Sequence, residues 1–305
     1  GPSRREMSTA RRILLVVTAL CWAALVMAQP DALVNANRKY QEGDLAGART
    51  LLDAAVKDPE HAGAPEAWVL RGFVYKDLYK QAPQGPDANV LRDEAMASLY
   101  LSTELDTAKE FSQSSLQAYD FLAKTMYNDA ARALNELDHE KAQTLFSKYK
   151  GSVLRIDPAH DFKERDIEFN NALGTVYTKR FNQTREEQQW FDKAVGTYQH
   201  VMELDPQNYG ANYNLATLYY NRGVYNIQQI SADNDIPNIQ RIQEVSRDYF
   251  MQALPYMLKA FEMNPKRRET LLGLEGIYYS LQDEKQSDHY RQLFEALESE
   301  QPQDR

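Results

Sequence analysis

Five histidines, one cysteine and a few clustered carboxylates are the side chains here that could hold a metal or carry catalysis. The histidines are His61, His139, His160, His200 and His289. A helical zinc pair needs two His four residues apart, so that both face one way. His139-Glu140 lacks the second His, and no other short pair occurs. His160 and Asp161 follow Asp157-Pro158 and belong to a loop. Asp233-Asn234-Asp235 is the nearest approach to a calcium loop, but Ile236 and Pro237 follow and the closing Glu is missing. The stretch reads as a turn. A phosphate-cradling Gly-x-x-x-x-Gly-Lys-Ser/Thr loop and a Gly-x-Ser-x-Gly elbow are both absent. Cys21 is the only thiol, which excludes a disulfide framework and a cysteine-based zinc or iron–sulfur centre. Asn182-Gln183-Thr184 fits a glycosylation sequon and is read as coincidence. The chemistry expected is therefore binding, with no catalytic residue, no metal and no cofactor. An enzyme assembled from dispersed residues stands as an alternative without a positive sign.

Charge narrows the partner. The 305 residues carry 35 Lys+Arg against 44 Asp+Glu, a net charge of −9. Binding along a phosphate backbone needs clustered cations. The basic runs are short, Lys179-Arg180 and Lys266-Arg267-Arg268, and the second follows a helix end, where cations are favoured anyway. A protein or peptide partner is expected, with no nucleic acid and no small-molecule cofactor.

The first residues read as an address. Arg11 and Arg12 precede an uncharged apolar run from Ile13 to Ala28, and Val26-Met27-Ala28 offers small residues at the cleavage positions. A spanning helix needs about 20 apolar residues, and this run is shorter. A secretory signal over residues 1–28, cleaved after Ala28, is expected. A retained anchor, the one route to the membrane, and a lipoprotein reading through Cys21 are the alternatives. Cleavage would remove Arg4, Arg5, Arg11, Arg12 and the only thiol, leaving a more acidic chain. The Ala28-Gln29 junction resembles signal cleavage sites of Bacteroidetes, so the expected location is the periplasm or envelope of a bacterium.

The remainder repeats itself. Helix stops recur at Asp58-Pro59, Asp106-Thr107, Asp157-Pro158, Asp205-Pro206 and Asn264-Pro265, because proline cannot continue a helix. Between the stops a small residue precedes a Tyr by three: Gly72 and Tyr75, Gly174 and Tyr177, Ala216 and Tyr219, Gly276 and Tyr279. Before each stop a small residue lies four before a large one: Ala48/Leu52, Ala95/Leu99, Ala142/Phe146, Ala194/Tyr198, Ala253/Met257. Spacings of three and four share a helical face. Together these patterns resemble the tetratricopeptide repeat over about residues 30–298.

The resemblance implies an all-α, right-handed α-solenoid of about six antiparallel helical hairpins, a single domain over 29–298 with a polar tail at 299–305. The hairpins are expected at 30–59, 63–107, 110–158, 161–206, 208–265 and 267–298. The period of 48 to 59 residues exceeds the family's 34. A HEAT-like repeat is the structural alternative. The excess falls between the two helices of each pair, which predicts long hairpins with turns displaced outward. Pro255 is expected to kink its helix or to follow a break.

First-helix residues beside the packing face line the concave groove of such solenoids. By that resemblance the groove comprises Asn171, Thr175, Thr178, Tyr209, Tyr213, Asn214, Thr217 and Tyr220. It looks neutral and aromatic, without the paired lysines of chaperone-binding members. The tyrosines suit either ligand contact or interhelical packing. The leading functional expectation is a non-enzymatic scaffold that docks a protein or peptide in this groove. The alternative is a structural subunit of a larger envelope assembly, acting through its convex face and long hairpin tips.

Overall fold

A computed structural model describes residues 31–300. The signal-like stretch lies outside the described residues. Twelve helices and no strand occur among the described residues. They are α1 (Ala32–Gln41), α2 (Leu45–Ala55), α3 (Pro65–Gln81), α4 (Pro86–Leu105), α5 (Ser112–Asn135), α6 (His139–Ile156), α7 (Lys163–Gln183), α8 (Gln188–Leu204), α9 (Tyr209–Gln228), α10 (Ile236–Met263), α11 (Arg268–Ser280) and α12 (Glu284–Glu300). Successive pairs form six helical hairpins, in the order the repeat pattern predicts. No described helix is long and apolar enough to cross a membrane. The described residues divide into two compact units, one ending at Thr125 and the other beginning at Met126.

Three hairpins close by one shared turn. At Gly43, Leu137 and Gln282 the backbone turns left-handed, with φ of 82°, 62° and 64°. The next residue's N–H then reaches back along the ending helix: Asp44 to Lys39, Asp138 to Ala133 and Asp283 to Tyr278, each at 2.9 Å. This satisfies carbonyls that the helix would otherwise leave open. The same three aspartates cap the following helix, accepting from the N–H of Gly47, Lys141 and Gln286. Proline marks the other boundaries: α6, α8 and α10 end at the residue before Asp157, Asp205 and Asn264, each of which precedes a Pro.

In the first unit, Ala36, Ala48, Leu52 and Val74 form a core from α1, α2 and α3. Arg71 on α3 joins Asp53 of α2 at 3.1 Å to Glu94 and Ser98 of α4 at 2.9 and 2.6 Å. Arg92 is fully buried, yet its guanidinium donates to Tyr79, Asn89 and Thr125.

In the second unit the small-then-large pairs face inward as their spacing requires. Ala142/Phe146, Ala194/Tyr198 and Ala253/Met257 are all buried. Gly174 marks how close α7 and α8 come, since a Cβ there would lie 2.6 Å from the Tyr198 ring. Phe146 of α6 stacks on Phe169 of α7 at 4.0 Å. The helix α10 runs unbroken through Pro255, so of the two expectations there, a kink or a preceding break, the break does not occur.

The sixth hairpin corrects the repeat register. Tyr75, Tyr177 and Tyr219 are buried, whereas Tyr279 is 73% exposed. The buried stripe of α11 is Thr270, Leu271, Leu274 and Ile277. Two residues beyond Ile277 is about 200° around the helix, so Tyr279 faces away. Tyr278 takes the inward role and stacks on Tyr290 at 5.7 Å.

Two substitutions should separate contact from propensity. Gly174→Ala should cost about 1–3 kcal/mol, because the Tyr198 ring has nowhere to move. Gly196→Ala, with nothing within 4 Å of the new methyl, should gain about 0.5–1 kcal/mol from helix propensity alone. Urea unfolding of the pair gives opposite signs if helix contact governs. Leu137→Gly should also stabilise, by about 1 kcal/mol, because only glycine adopts the left-handed turn without strain.

Candidate functional site

Neighbouring first helices α7 and α9, both in the second unit, present polar side chains toward each other. Along α7 and its turn the series is Thr175, Thr178, Asn182 and Arg185, spaced three, four and three. Along α9 it is Asn214, Thr217 and Asn221, spaced three and four, with Leu218 and Arg222 beside them. The helical members of each series lie on one face, and Arg185 follows from the turn after α7. With Lys179, Phe181 and the Tyr198 ring they enclose a cavity of 210 Å³.

Half of its polar wall is already occupied. The Thr175 hydroxyl lies 3.2 Å from the Tyr198 hydroxyl and donates to the Asn171 carbonyl at 3.2 Å. Thr178 donates to the Gly174 carbonyl at 2.8 Å. Burial raises the pKa of the Tyr198 phenol, so it stays neutral. By contrast, no hydrogen bond among the described residues engages the side chains of Asn182, Asn214, Thr217 or Asn221. These groups face the cavity free to bond a ligand.

The charge of the wall differs from the expectation of a neutral, aromatic groove. Lys179, Arg185 and Arg222 line it, and no carboxylate does. Nothing in net charge reveals this, because a sum over the chain says little about one pocket. Arg222 adjoins the series on α9, but Arg185 lies in the turn after α7, where helical spacing no longer assigns a residue to a face.

The eight groove residues separate into two groups. Thr175, Thr178, Asn214 and Thr217 converge on the cavity. Asn171 instead donates to Asn208 at 3.1 Å, and Asn208 caps α9 through the N–H of Ala211. Tyr209 bonds Thr270 at 2.7 Å and Glu269 at 3.1 Å, with Arg267 over its ring. Tyr213 stacks on Tyr209 at 5.9 Å, nearly parallel. Tyr220 packs on Phe250 at 5.7 Å and crowds Gly276. Its ring is engaged between helices.

The histidines are dispersed. His61 pairs with Asp31 at 2.9 Å and His160 with Asp157 at 3.2 Å. His139 packs against Tyr177 and Trp190, and burial lowers its imidazole pKa. Among the described residues no cluster of three His, Cys, Asp or Glu side chains is placed to hold a metal.

No family model matches the chain, and no curated protein matches its sequence. Among solved structures it is similar to a monomeric mutant of IFIT1 with Gppp-AAAA, at TM-score 0.38 and 15% identity, covering 88% of this chain and 59% of that one. It is also similar to a human IFIT1 dimer with m7Gppp-AAAA, at TM-score 0.26 and 12% identity, covering 84% of this chain and 68% of that one. The chain thus spans about three fifths of the length of the first of these. The expectation that nucleic acid is no partner is corrected here. The similar chains are solved with Gppp-AAAA, m7Gppp-AAAA and PPP-AAAA. The acidic total on which the exclusion rested does not describe a pocket lined by Lys179, Arg185 and Arg222.

The Tyr209 contact gives a pH signature. Burial, aided by Glu269, raises its phenol from 10.0 to about 12. The folded chain therefore holds this proton where the unfolded chain has released it, and stability falls as pH rises between the two values. Tyr209→Phe should lose less stability than the parent between pH 9 and 11 in urea titrations. Absorbance at 295 nm should lose one tyrosine from the component that ionises around pH 12.

Proposed function

We propose that this chain is a non-enzymatic binding scaffold that docks a protein or peptide along the facing polar stripes of α7 and α9. One observation carries the reading: Thr175, Thr178, Asn214 and Thr217, from two first helices, converge on one cavity while much of that wall has no internal partner. Hydroxyls and amides at helical spacing suit a peptide backbone, which presents donors and acceptors in alternation. We further propose that the scaffold works after export, in a bacterial envelope. That part rests on Arg11, Arg12 and the apolar run to Ala28.

A second reading, a structural subunit of an envelope assembly, is favoured by the length of α10 and by the exposed Ile236 at its tip. A photo-crosslinking residue placed at Asn221, Thr197 or Asp233 in the native host distinguishes the two. A protein adduct at Asn221, absent at the other two positions, is expected. Adducts confined to Thr197 or Asp233 would move the function to the convex face or the tip. A nuclease-sensitive adduct at Asn221 would replace the protein partner with a nucleic acid.

A further inference from the structure

Arg185 and Arg222 flank one aromatic ring. Their guanidinium carbons lie 5.6 and 5.0 Å from the centre of Phe181, which is buried. None of the ion pairs among the described residues includes either arginine or Lys179. The hydrogen bond Arg222 makes goes to the neutral amide of Gln188, at 3.1 Å. Meanwhile Nη1 of Arg185 and Nε of Arg222 are buried with no acceptor. Arg71 shows how this protein treats a partly buried guanidinium whose role is purely structural, because two carboxylates answer it.

Two like charges beside one ring, each with a desolvated N–H, form an unfavourable arrangement on their own. Aromatic faces offset part of it. Arg185 also stacks on Tyr225 at 4.3 Å, and Phe191 and Tyr249 lie near Arg222. A ring supplies no acceptor to Nη1 of Arg185 or Nε of Arg222, and neither charge has a carboxylate partner among the described residues. An anion in the cavity would compensate the two uncountered charges that line it.

We propose that this cavity is an oxyanion site whose ligand is a phosphoryl group, held by Arg185 and Arg222 with Lys179 and the free amides of Asn182 and Asn221. A carboxylate brings one charge and two oxygens. A phosphate monoester brings about −1.5 to −2 charge and three acceptor oxygens, which matches two guanidinium forks. Whole small-molecule ligands occupy pockets of roughly 300–1,000 Å³. A 210 Å³ cavity takes the anionic end of a molecule and leaves the rest outside. The assignment goes beyond the docking reading and stands without it, since it needs no macromolecular partner.

Calorimetry on the purified chain tests it, with inorganic phosphate and glycerol 3-phosphate as probes and glutarate as the dicarboxylate comparison. Saturable binding of a phosphoryl probe is expected, weakened about tenfold or more by Arg185→Gln and by Arg222→Gln, and weakened by added salt. The tighter of the two phosphoryl probes identifies the source as the free ion or an ester. Should either arginine variant lose helicity, Asn221→Asp replaces it: this exposed position puts a carboxylate on the wall, and the same loss is expected. Absence of saturable binding, equal affinity in parent and variants, or tighter binding of glutarate would each overturn the assignment. A crosslink failure at Asn221 would leave these results untouched, so the two readings fail separately.

Discussion

Close approach between the two helices of a hairpin is the constraint on which the rest of this structure depends. At Gly72, Gly174 and Gly223 an added methyl would sit 2.5, 2.6 and 2.5 Å from Leu99, Tyr198 and Phe250 respectively. The large residue thus fills the space that the missing side chain opens. Interiors are packed near crystal density, so such a contact fixes the helix separation and the rotation of both partners. The consequence reaches the cavity. Tyr198, pressed against Gly174, carries its hydroxyl to Thr175 at 3.2 Å and forms part of the pocket wall. A packing rule of the fold therefore becomes a wall of the site.

Cations in this chain meet two fates. In the first unit Arg71 lies between helices but is held by Asp53, Glu94 and Ser98, and its charge is compensated where it is buried. Such a network positions three helices by directional contacts and costs little, because each donor has an acceptor. In the second unit Arg185 and Arg222 receive aromatic faces and one neutral amide. The difference is not forced by composition. Glu186 and Glu187 are adjacent in sequence, yet Glu187 turns to Trp190 and Thr184. A carboxylate within reach along the chain has been directed elsewhere.

Much of the fold was legible because its signals are local and repeated. Ala48/Leu52, Ala95/Leu99 and the later pairs each announce a buried helix face, and the prolines after Asp157, Asp205 and Asn264 mark the ends. Two features were not legible in this way. Gly276 and Tyr279 copy the spacing of Gly174 and Tyr177, but the stripe of α11 is rotated against them, and a three-residue match cannot report rotation. Arg222 was passed over because spacing assigns a residue to a face without saying which charges that face gathers, and Arg185 because it lies in the turn after α7. Of the expected groove residues, Thr175, Thr178, Asn214 and Thr217, placed by their position in the repeat, line one cavity. For Tyr220 the sequence left ligand contact and interhelical packing both open, because Phe250, on which it packs, lies 30 residues away on another helix.

Helix length explains why the pocket exists. The helix α11, at 13 residues, is a first helix near the ordinary length of the repeat, whereas α7 has 21 and α9 has 20. Counted from their starts, a 13-residue helix would stop at Thr175 on α7 and at Asn221 on α9, so Lys179 and Asn182 on α7, Arg185 in the turn after it and Arg222 on α9 lie beyond that point. Thr175 lies within the shorter length, whereas Thr178 and the three cations Lys179, Arg185 and Arg222 lie beyond it. Two added turns on adjacent helices must be packed against something, and Phe181, Phe191, Tyr225 and Tyr249 supply that packing. Beside those rings Nη1 of Arg185 and Nε of Arg222 are buried, and a charge is felt more strongly where water is displaced. Elongation of the repeat and cationic character of the pocket are thus one structural change, and a shortened α7–α8 hairpin could not keep the second without the first.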